Sequence, residues 1–228
     1  MHGYQFSHPS RLRSPSTYFS QSSGVGRLLT SLSAAPPQHV GVVGLGIGTL
    51  AAYGRSGDRY RFYEINPKVI ELAEEPYSFI KNCPAKCEIV SGDARLALER
   101  EDAQQFDVLI LDAFSGDSIP VHLLTQEVME LYLSHLKPNG MMAIHISNRY
   151  VDLNPVVASL AASHGLAQVL VTDNPRPATG IAPSDWIVLA RNAADLNRPT
   201  LLGFKPAPIR PGFEPWTDQR NNLFEVLR

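Results

Sequence analysis

The sequence predicts an α/β protein with a seven-stranded, mostly parallel sheet. Short apolar runs rich in Val, Ile and Leu alternate with helical stretches, as expected of parallel strands covered on both faces. The runs span residues 39–44, 60–64, 87–92, 106–112, 140–147, 167–172 and 186–191. A glycine-rich turn follows the first run, and a Pro-rich segment joins the last two, which suggests a closing antiparallel hairpin. Together these features predict the methyltransferase-type variation of the doubly wound, Rossmann-like fold.

Helices are predicted where a capping residue or a proline precedes a periodic apolar segment. Pro67 stands in the first turn of the segment KVIELA, and Thr125 precedes VMELYLSHL. Asn139-Gly140 is expected to end this second helix and to begin the next strand. A further helix is predicted over 153–164, before the closing hairpin.

The two ends of the chain are predicted to lie outside the central α/β unit, which spans 39–194. Residues 1–38 are polar and rich in Ser and Pro, and we interpret them as a short N-terminal arm with partial β-structure. Prolines are frequent in 195–228 and exclude a regular helix before about residue 217. This segment is therefore expected to be an extended strap that ends in a short helix.

Composition and charge exclude several classes of protein. The 20 Lys and Arg residues against 22 Asp and Glu give a net charge of −2, with no basic excess for a nucleic-acid backbone. The apolar runs are too short to cross a bilayer, and no signal segment is visible, so a cytoplasmic location is expected. Two cysteines are too few for a disulfide framework, and the histidine spacing is not typical of a metal site, so no metal is expected.

The glycine-rich turn points to a nucleotide site at the carboxyl edge of the sheet. Gly44, Gly46 and Gly48 follow the first strand and are expected to open a helix, which lets the backbone approach a ligand. Glu64 ends the second run, where a carboxylate can accept both ribose hydroxyls. Asp93 ends the third run, within reach of an adenine amino group. Together, the three glycines and two acids favour a site for an adenosyl ligand. The alternative is a tight turn with two solvated acids and no ligand. The sequence has no Walker lysine after the glycines, which disfavours ATP hydrolysis.

An acidic loop follows the fourth run and is the candidate reaction site. Asp112 and Asp117 are suited to bind a cationic amine and to take its proton, because an amine with a pKa near 10 must be neutral before it attacks. The alternative is a solvated loop in which Asp112 caps a turn. His145 follows the fifth run, and alternation along the strand fits a hydrogen-bonded core residue as well as a catalytic one.

The stretch 39–192 resembles the spermidine synthase family, the aminopropyltransferases that use decarboxylated S-adenosylmethionine. It is most similar to the bacterial spermidine-synthase-like domains that occur alone or fused to membrane transporter-like segments. The matching segments are HVGVVGLGIGTLAAYG, FYEINPKVIELA, SGDARLAL, FDVLILDAFSGDSIPVHLLTQE and AIHISNRY. In the arm, HGYQ (2–5) and TY (17–18) resemble the glycine-glutamine and tyrosine positions of the family.

The resemblance implies an adenosyl-cofactor domain over 39–194 and a role for individual residues. Glu64 would hold the ribose, Asp93 the adenine N6, and Gln5 the nucleoside. The full set of candidate cofactor-binding residues is Gln5, Gly44, Gly46, Gly48, Glu64, Asp93, Ala94 and Asp112. The candidate catalytic residues are Asp112, Asp117 and Tyr18, the last lining the amine pocket. The family also implies an N-terminal β-structure and, often, dimers; the arm here is short for such a structure, which suggests a truncated start.

Two positions depart from the patterns of related enzymes. Aminopropyltransferases carry a second aspartate three residues after the first, whereas this sequence has Ser115, and the nearest acid is Asp117. Val42 stands where methyltransferases usually have an acid, which favours the decarboxylated cofactor over S-adenosylmethionine itself. The leading hypothesis is an aminopropyltransferase-like enzyme of polyamine biosynthesis that acts on a putrescine-like amine and releases methylthioadenosine. The alternatives are an S-adenosylmethionine-dependent methyltransferase and a non-catalytic adenosyl-binding regulatory domain.

Overall fold

The computed structural model describes residues 3–113, 120–175 and 180–228. A seven-stranded sheet with the order β3-β2-β1-β4-β5-β7-β6 forms its centre. The strands are β1 (His39–Val43), β2 (Arg59–Glu64), β3 (Lys86–Ser91), β4 (Phe106–Leu111), β5 (Leu136–His145), β6 (Ala167–Asp173) and β7 (Ser184–Ala190). Strands β1 to β5 are parallel, and β7 runs antiparallel to both β5 and β6. The predicted fold class, including the antiparallel hairpin, is confirmed.

Five α-helices connect or cover these strands in the described part of the chain. They are α1 (Gly24–Ser31), α2 (Pro67–Glu74), α3 (Ala94–Arg100), α4 (Gln126–His135) and α5 (Asn154–Ser163). Pro67 begins α2 as predicted, because its missing N–H is not needed in the first turn. Thr125 caps α4 by accepting a hydrogen bond from Val128 N. Apolar clusters pack on both faces of the sheet, which explains the nearly continuous apolar strands.

Two predicted element boundaries differ from the structure. The glycine turn opens a five-residue 3₁₀ helix, Thr49–Tyr53, instead of an α-helix. Helix α4 ends at His135 and β5 begins at the next residue, so that Asn139-Gly140 lies within β5 and does not end the helix. A Cβ added to Gly140 would lie 2.8 Å from the Phe106 carbonyl oxygen, so a close approach between strands requires glycine here.

The flanking segments also differ in detail from the prediction. The described part of the arm, residues 3–38, contains 3₁₀ turns and helix α1, but no strand of the expected partial β-structure. Helix α1 packs on β7 so closely that a Cβ on Gly24 would overlap the Trp186 side chain. Burial of this helix against the sheet, and not pairing with a strand, therefore orders the second half of the arm. Near the C-terminus, the expected short helix is a 3₁₀ turn at Leu223–Val226.

An ion pair between Arg55 and Asp58 ties the end of α1 to the sheet. Asp58 is 3% exposed, and its carboxylate accepts hydrogen bonds from the backbone N–H groups of Gln38 (2.8 Å) and Arg55 (2.9 Å). The Arg55 guanidinium donates to Leu32 O and Ala35 O, both at 3.0 Å. Burial opposes ionisation of Asp58, but the hydrogen bonds from Arg55 and Gln38 outweigh it and lower the pKa of the carboxyl.

Replacing Asp58 with Asn is expected to lower the free energy of unfolding by about 1–3 kcal/mol at neutral pH, because the buried hydrogen-bond network loses its negative charge and one of its two acceptor oxygens. The pKa of Asp58 is lower in the folded than in the unfolded protein. The stabilisation is therefore complete at a pH above the unfolded-state pKa, and it is lost as the pH falls through the folded-state pKa. Urea unfolding of both proteins at pH 7 and pH 3 measures this. The difference in free energy of unfolding between the wild type and the variant should be smaller at pH 3 than at pH 7. An equal difference at the two pH values would contradict a stabilising role of the ionised Asp58 carboxylate.

Candidate active site

The carboxyl ends of five adjacent strands form one continuous edge that carries most of the predicted site residues. In sheet order, this edge carries Asp93 after β3, Glu64 at the end of β2, Gly44 after β1, Asp112 after β4 and His145 at the end of β5. Hydrogen bonding continues past the strand ends, as where Asp112 N donates to Val43 O at 2.9 Å. The nucleotide-site residues and the reaction-site residue Asp112 therefore share one edge.

The glycine turn is closed at its ends and open in its middle. All three glycines have positive φ angles, 96° at Gly44, 53° at Gly46 and 79° at Gly48. A Cβ on Gly44 would overlap the carbonyl oxygen of Asp112, and a Cβ on Gly48 would lie 2.8 Å from the Ile80 side chain. A Cβ on Gly46 would meet no atom within 4 Å. The turn thus packs on the end of β4 and leaves open space at Gly46, where a ligand can approach the backbone.

The Glu64 carboxylate is held against the glycine turn by two backbone donors. Leu45 N donates to Oε2 at 3.0 Å, and Asn66 N donates to Oε1 at 2.9 Å. Glu64 is 9% exposed, so its carboxylate has a fixed orientation. A carboxylate has about four acceptor sites, and these two bonds leave capacity for two ribose hydroxyls. The ribose contact itself stays a prediction.

Asp93 has structural roles that the sequence did not reveal. Its Oδ1 accepts from Leu96 N at 3.0 Å and caps α3, while its Oδ2 lies 3.1 Å from His122 Nε2. Burial raises the pKa of the Asp93 carboxyl, but these hydrogen bonds dominate and lower it. Ala94 is the buried first residue of α3. The proposed contacts of Asp93 and Ala94 with adenine stay predictions, and His122 is a neighbour that sequence analysis missed.

Replacing Asp93 with Ala is expected to lower the free energy of unfolding by about 1 kcal/mol through loss of the helix cap. It should also weaken binding of methylthioadenosine by about 1–3 kcal/mol if the carboxylate accepts from the adenine amino group. Asp93→Asn is the matched variant, because Asn caps helices as well as Asp but presents a donor to that amino group. Compared with Asp93→Ala, the Asp93→Asn variant should regain stability, as measured by urea unfolding. It should not regain affinity for methylthioadenosine, as measured by calorimetry. Unchanged affinity in both variants would remove Asp93 from the site.

The predicted nucleoside contact Gln5 fastens the arm near the glycine turn. Its side-chain amide donates to Leu12 O at 2.7 Å and accepts from Ser78 N at 3.0 Å. Nearby in sequence, a Cβ on Gly3 would lie 2.9 Å from the Ile47 side chain, within the glycine turn. The arm therefore reaches the edge where the cofactor is predicted to bind, and direct contact of Gln5 with a nucleoside stays a prediction.

Asp112 is buried and bonded to His145. The parallel register aligns Leu111 of β4 with Ile144 of β5, so the next residues on each strand, Asp112 and His145, are neighbours. Asp112 Oδ1 lies 2.6 Å from His145 Nδ1, and the two side chains are 8% and 6% exposed. Asp112 is therefore an oriented, largely desolvated carboxylate, and not a cap in a solvated loop.

The imidazole of His145 lies between two aromatic rings. The ring centroids of Tyr18 and Trp186 each lie 4.6 Å from that of His145, with interplanar angles of 18° and 21°. Trp186 is directly opposite His145 in the antiparallel β5–β7 register, which places both side chains on one face. Burial and the negative charge of Asp112 raise the pKa of the Tyr18 hydroxyl, so the phenol is neutral. Tyr18 and Asp112, two of the predicted catalytic residues, thus meet around this histidine.

The remaining candidate, Asp117, and its neighbour Ser115 lie in 114–119, outside the described residues. On the described side of that gap, an apolar crevice opens next to His145. Its empty space, including the part open to solvent, is about 290 Å³. The lining residues are Val43, Leu111, Ala113, Pro120, Leu123, Leu124, Ile144 and His145.

The described residues carry neither a helix suited to spanning a membrane nor a typical metal centre. Each helix within 3–113, 120–175 and 180–228 is too short or too polar to cross a bilayer. In the same ranges, no three His, Cys, Asp or Glu side chains converge as ligands for a metal ion.

Comparison with known proteins shows sequence similarity to two proteins that are named as polyamine aminopropyltransferases. No protein-family profile matches the chain. A polyamine aminopropyltransferase of Vibrio vulnificus is 30% identical over 113 residues, which cover 46% of this chain and 36% of that protein. A probable polyamine aminopropyl transferase of Bifidobacterium longum is 27% identical over 144 residues, which cover 59% of this chain and 30% of that protein.

A solved structure extends the similarity to the fold of nearly the whole chain. The probable spermidine synthase of Corynebacterium glutamicum matches with a TM-score of 0.60 at 18% identity, covering 97% of this chain and 84% of that one. The chain spans about a third of the length of the two curated relatives. These findings confirm the Rossmann-like fold and the resemblance stated from the sequence motifs.

Proposed function

We propose that this chain, whose sequence is similar to those of polyamine aminopropyltransferases, is a transferase of the same kind. It would transfer an aminopropyl group from decarboxylated S-adenosylmethionine to a small amine and release methylthioadenosine. The observation that carries the proposal is the arrangement at the sheet edge, where the buried carboxylates of Glu64 and Asp112 flank a glycine turn that is open at Gly46.

The residues at this edge fit an adenosyl group. The turn is exposed at Gly46, where an added Cβ would meet no atom within 4 Å, and the Glu64 carboxylate next to it has acceptor capacity for ribose hydroxyls. Asp93 follows the neighbouring strand, where it would accept from the adenine amino group. Once bound, decarboxylated S-adenosylmethionine supplies the carbon that is attacked and a thioether leaving group.

Asp112 is the residue best suited to handle the amine. A primary amine carries a positive charge at neutral pH, so the buried carboxylate would bind it by charge and by hydrogen bonding. Because an ammonium nitrogen has no lone pair, it must first lose a proton, and Asp112 would accept this proton. The neutral nitrogen would then form its bond to the aminopropyl carbon as the bond from that carbon to sulfur breaks. Tyr18 would line the pocket with a neutral phenol, and apolar side chains next to His145 would face the methylene chain of a putrescine-like diamine. Asp117 is proposed as a second acid of the same site.

Product analysis tests the proposal and separates it from the other interpretations. The purified protein would be incubated with decarboxylated S-adenosylmethionine or with S-adenosylmethionine, each with and without putrescine, and the products identified by mass spectrometry. Methylthioadenosine and an aminopropylated amine are expected only with the decarboxylated compound and putrescine together. Adenosylhomocysteine would indicate a methyltransferase. Tight adenosyl binding without product from putrescine or a panel of related amines would indicate a binding domain. Either result, formation of adenosylhomocysteine or binding without product, would overturn the proposal.

A further inference from the structure

We infer that His145 is a positioning residue that orients Asp112 and shares the proton that Asp112 takes from the substrate amine. This inference rests on the proposed function. The short contact between His145 Nδ1 and Asp112 Oδ1, 2.6 Å, joins two side chains that are each less than a tenth exposed. A hydrogen bond between a carboxylate and an imidazole is strong in such a desolvated site. It fixes one oxygen of Asp112 and thereby sets the direction of the other.

The contacts of His145 with Asp112 and Ser147 are compatible with a neutral imidazole that carries its proton on Nδ1, because an ionised carboxylate can only accept. Asp185 N donates to Ser147 Oγ at 2.7 Å, and the same hydroxyl lies 2.8 Å from His145 Nε2. The hydroxyl hydrogen can therefore point at Nε2, which leaves Nδ1–H to donate to Asp112. Asp112 is then ionised and His145 neutral, which is the state that can receive a proton.

The same contacts also accommodate the state after proton transfer. When the amine gives up its proton, the Asp112–His145 pair changes from a net charge of −1 to 0. If the proton resides on the imidazole, Nε2–H donates to the second lone pair of Ser147 Oγ after the hydroxyl rotates. Both charge states of the pair are thus hydrogen-bonded, so the proton can be shared and not confined to the carboxylate.

The stacked rings of Tyr18 and Trp186 hold the imidazole in place. Each ring lies nearly parallel to that of His145 at 4.6 Å. Tyr18 is placed by a strained backbone, because the preceding residue Thr17 has a φ of 55°, unusual for a β-branched side chain. Such strain persists where surrounding structure requires one conformation. Among the described residues, the titratable side chains facing His145 are Asp112 from β4 and Tyr18 from the arm.

The role of His145 in turnover is tested by the kinetics of His145→Asn. His135→Asn is the matched control. Asn keeps a donor near the position of Nδ1 but does not titrate. We expect kcat to fall by roughly 10²-fold, with unchanged affinity for methylthioadenosine.

His135 is equally buried, at 2% exposure, and lies 3.1 Å from Leu98 O, away from the strand-end edge. His135→Asn therefore measures the cost of removing a buried histidine, and it should keep kcat. Equal losses of kcat in the two variants would overturn the inference.

A measurement that requires no turnover tests the hydrogen-bonding state directly. Nitrogen-15 NMR of the histidine rings at neutral pH should show His145 as the neutral Nδ1–H tautomer, and Asp112→Ala, which removes the acceptor, should abolish this preference. An Nε2–H tautomer in the wild type, or no change in Asp112→Ala, would overturn the inference. Absence of aminopropyl transfer by the wild type would instead overturn the proposed function, so the two failures are distinguishable.

Discussion

Replacing Asp112 with Asn is expected to lower kcat for methylthioadenosine release by about 10²- to 10⁴-fold. The amide has nearly the same shape as the carboxylate, so the packing at the end of β4 should persist. It cannot take a proton, however, and it removes the negative charge that would hold a cationic amine. Affinity for methylthioadenosine, measured by calorimetry, should change little, because this ligand has already lost the group that Asp112 would face.

Asp107→Asn supplies the matched control on the same strand. Asp107 lies near the opposite end of β4, where it accepts from His39 N at 2.8 Å and from Lys137 Nζ at 2.7 Å. Its replacement should reduce stability without lowering kcat, since it is remote from the carboxyl edge. If Asp112→Asn lost turnover and ligand affinity to the same degree, Asp112 would have a structural role and not a catalytic one.

Gly44→Ala is expected to cost more stability than Gly46→Ala, whereas Gly46→Ala is expected to weaken ligand binding. In Gly44→Ala, the new methyl group would overlap backbone atoms of Asp112, and the left-handed conformation would be strained. We expect the free energy of unfolding to fall by about 2–4 kcal/mol. In Gly46→Ala, the methyl group would enter open space, so only the left-handed conformation adds a cost, about 1–2 kcal/mol.

Ligand affinity separates the two glycine variants further. The methyl group of Gly46→Ala would occupy the space proposed for the adenosyl group, so binding of methylthioadenosine should weaken by roughly tenfold, about 1.4 kcal/mol. Urea unfolding and calorimetry on the same preparations provide both quantities. Unchanged affinity in a folded Gly46→Ala protein would show that the ligand does not approach the turn, which would contradict the proposed cofactor site.

The sheet was predictable because its pattern is local. Each strand is a short apolar run, and the carboxylates Glu64, Asp93 and Asp112 follow directly from the strand ends. Parallel pairing then brings them to one edge whatever the details of packing. The start of β5 was misjudged, because Asn139-Gly140 is a good helix stop and only the approach of the neighbouring strand explains its actual place in the strand.

The arm and the environment of His145 were not predictable in the same way. Tyr18 and Trp186, the two rings that enclose this histidine, are 168 residues apart in the chain. No periodicity in the sequence indicates such a distant contact. The alternation along β5 fits a histidine in the core as well as a histidine in an active site. The available signal was only that His145 stands at the carboxyl end of its strand, at the same level as Asp112.

The position of β7 has a consequence for the order in which the protein is made. It follows the other six described strands in chain order, yet it occupies an interior position between β5 and β6. A nascent chain that stops before residue 184 leaves β6 without its neighbour in the sheet and His145 without the indole that covers one of its faces. The surroundings of His145 are thus completed only after β7 has been translated, when the glycine turn and its carboxylates have already emerged.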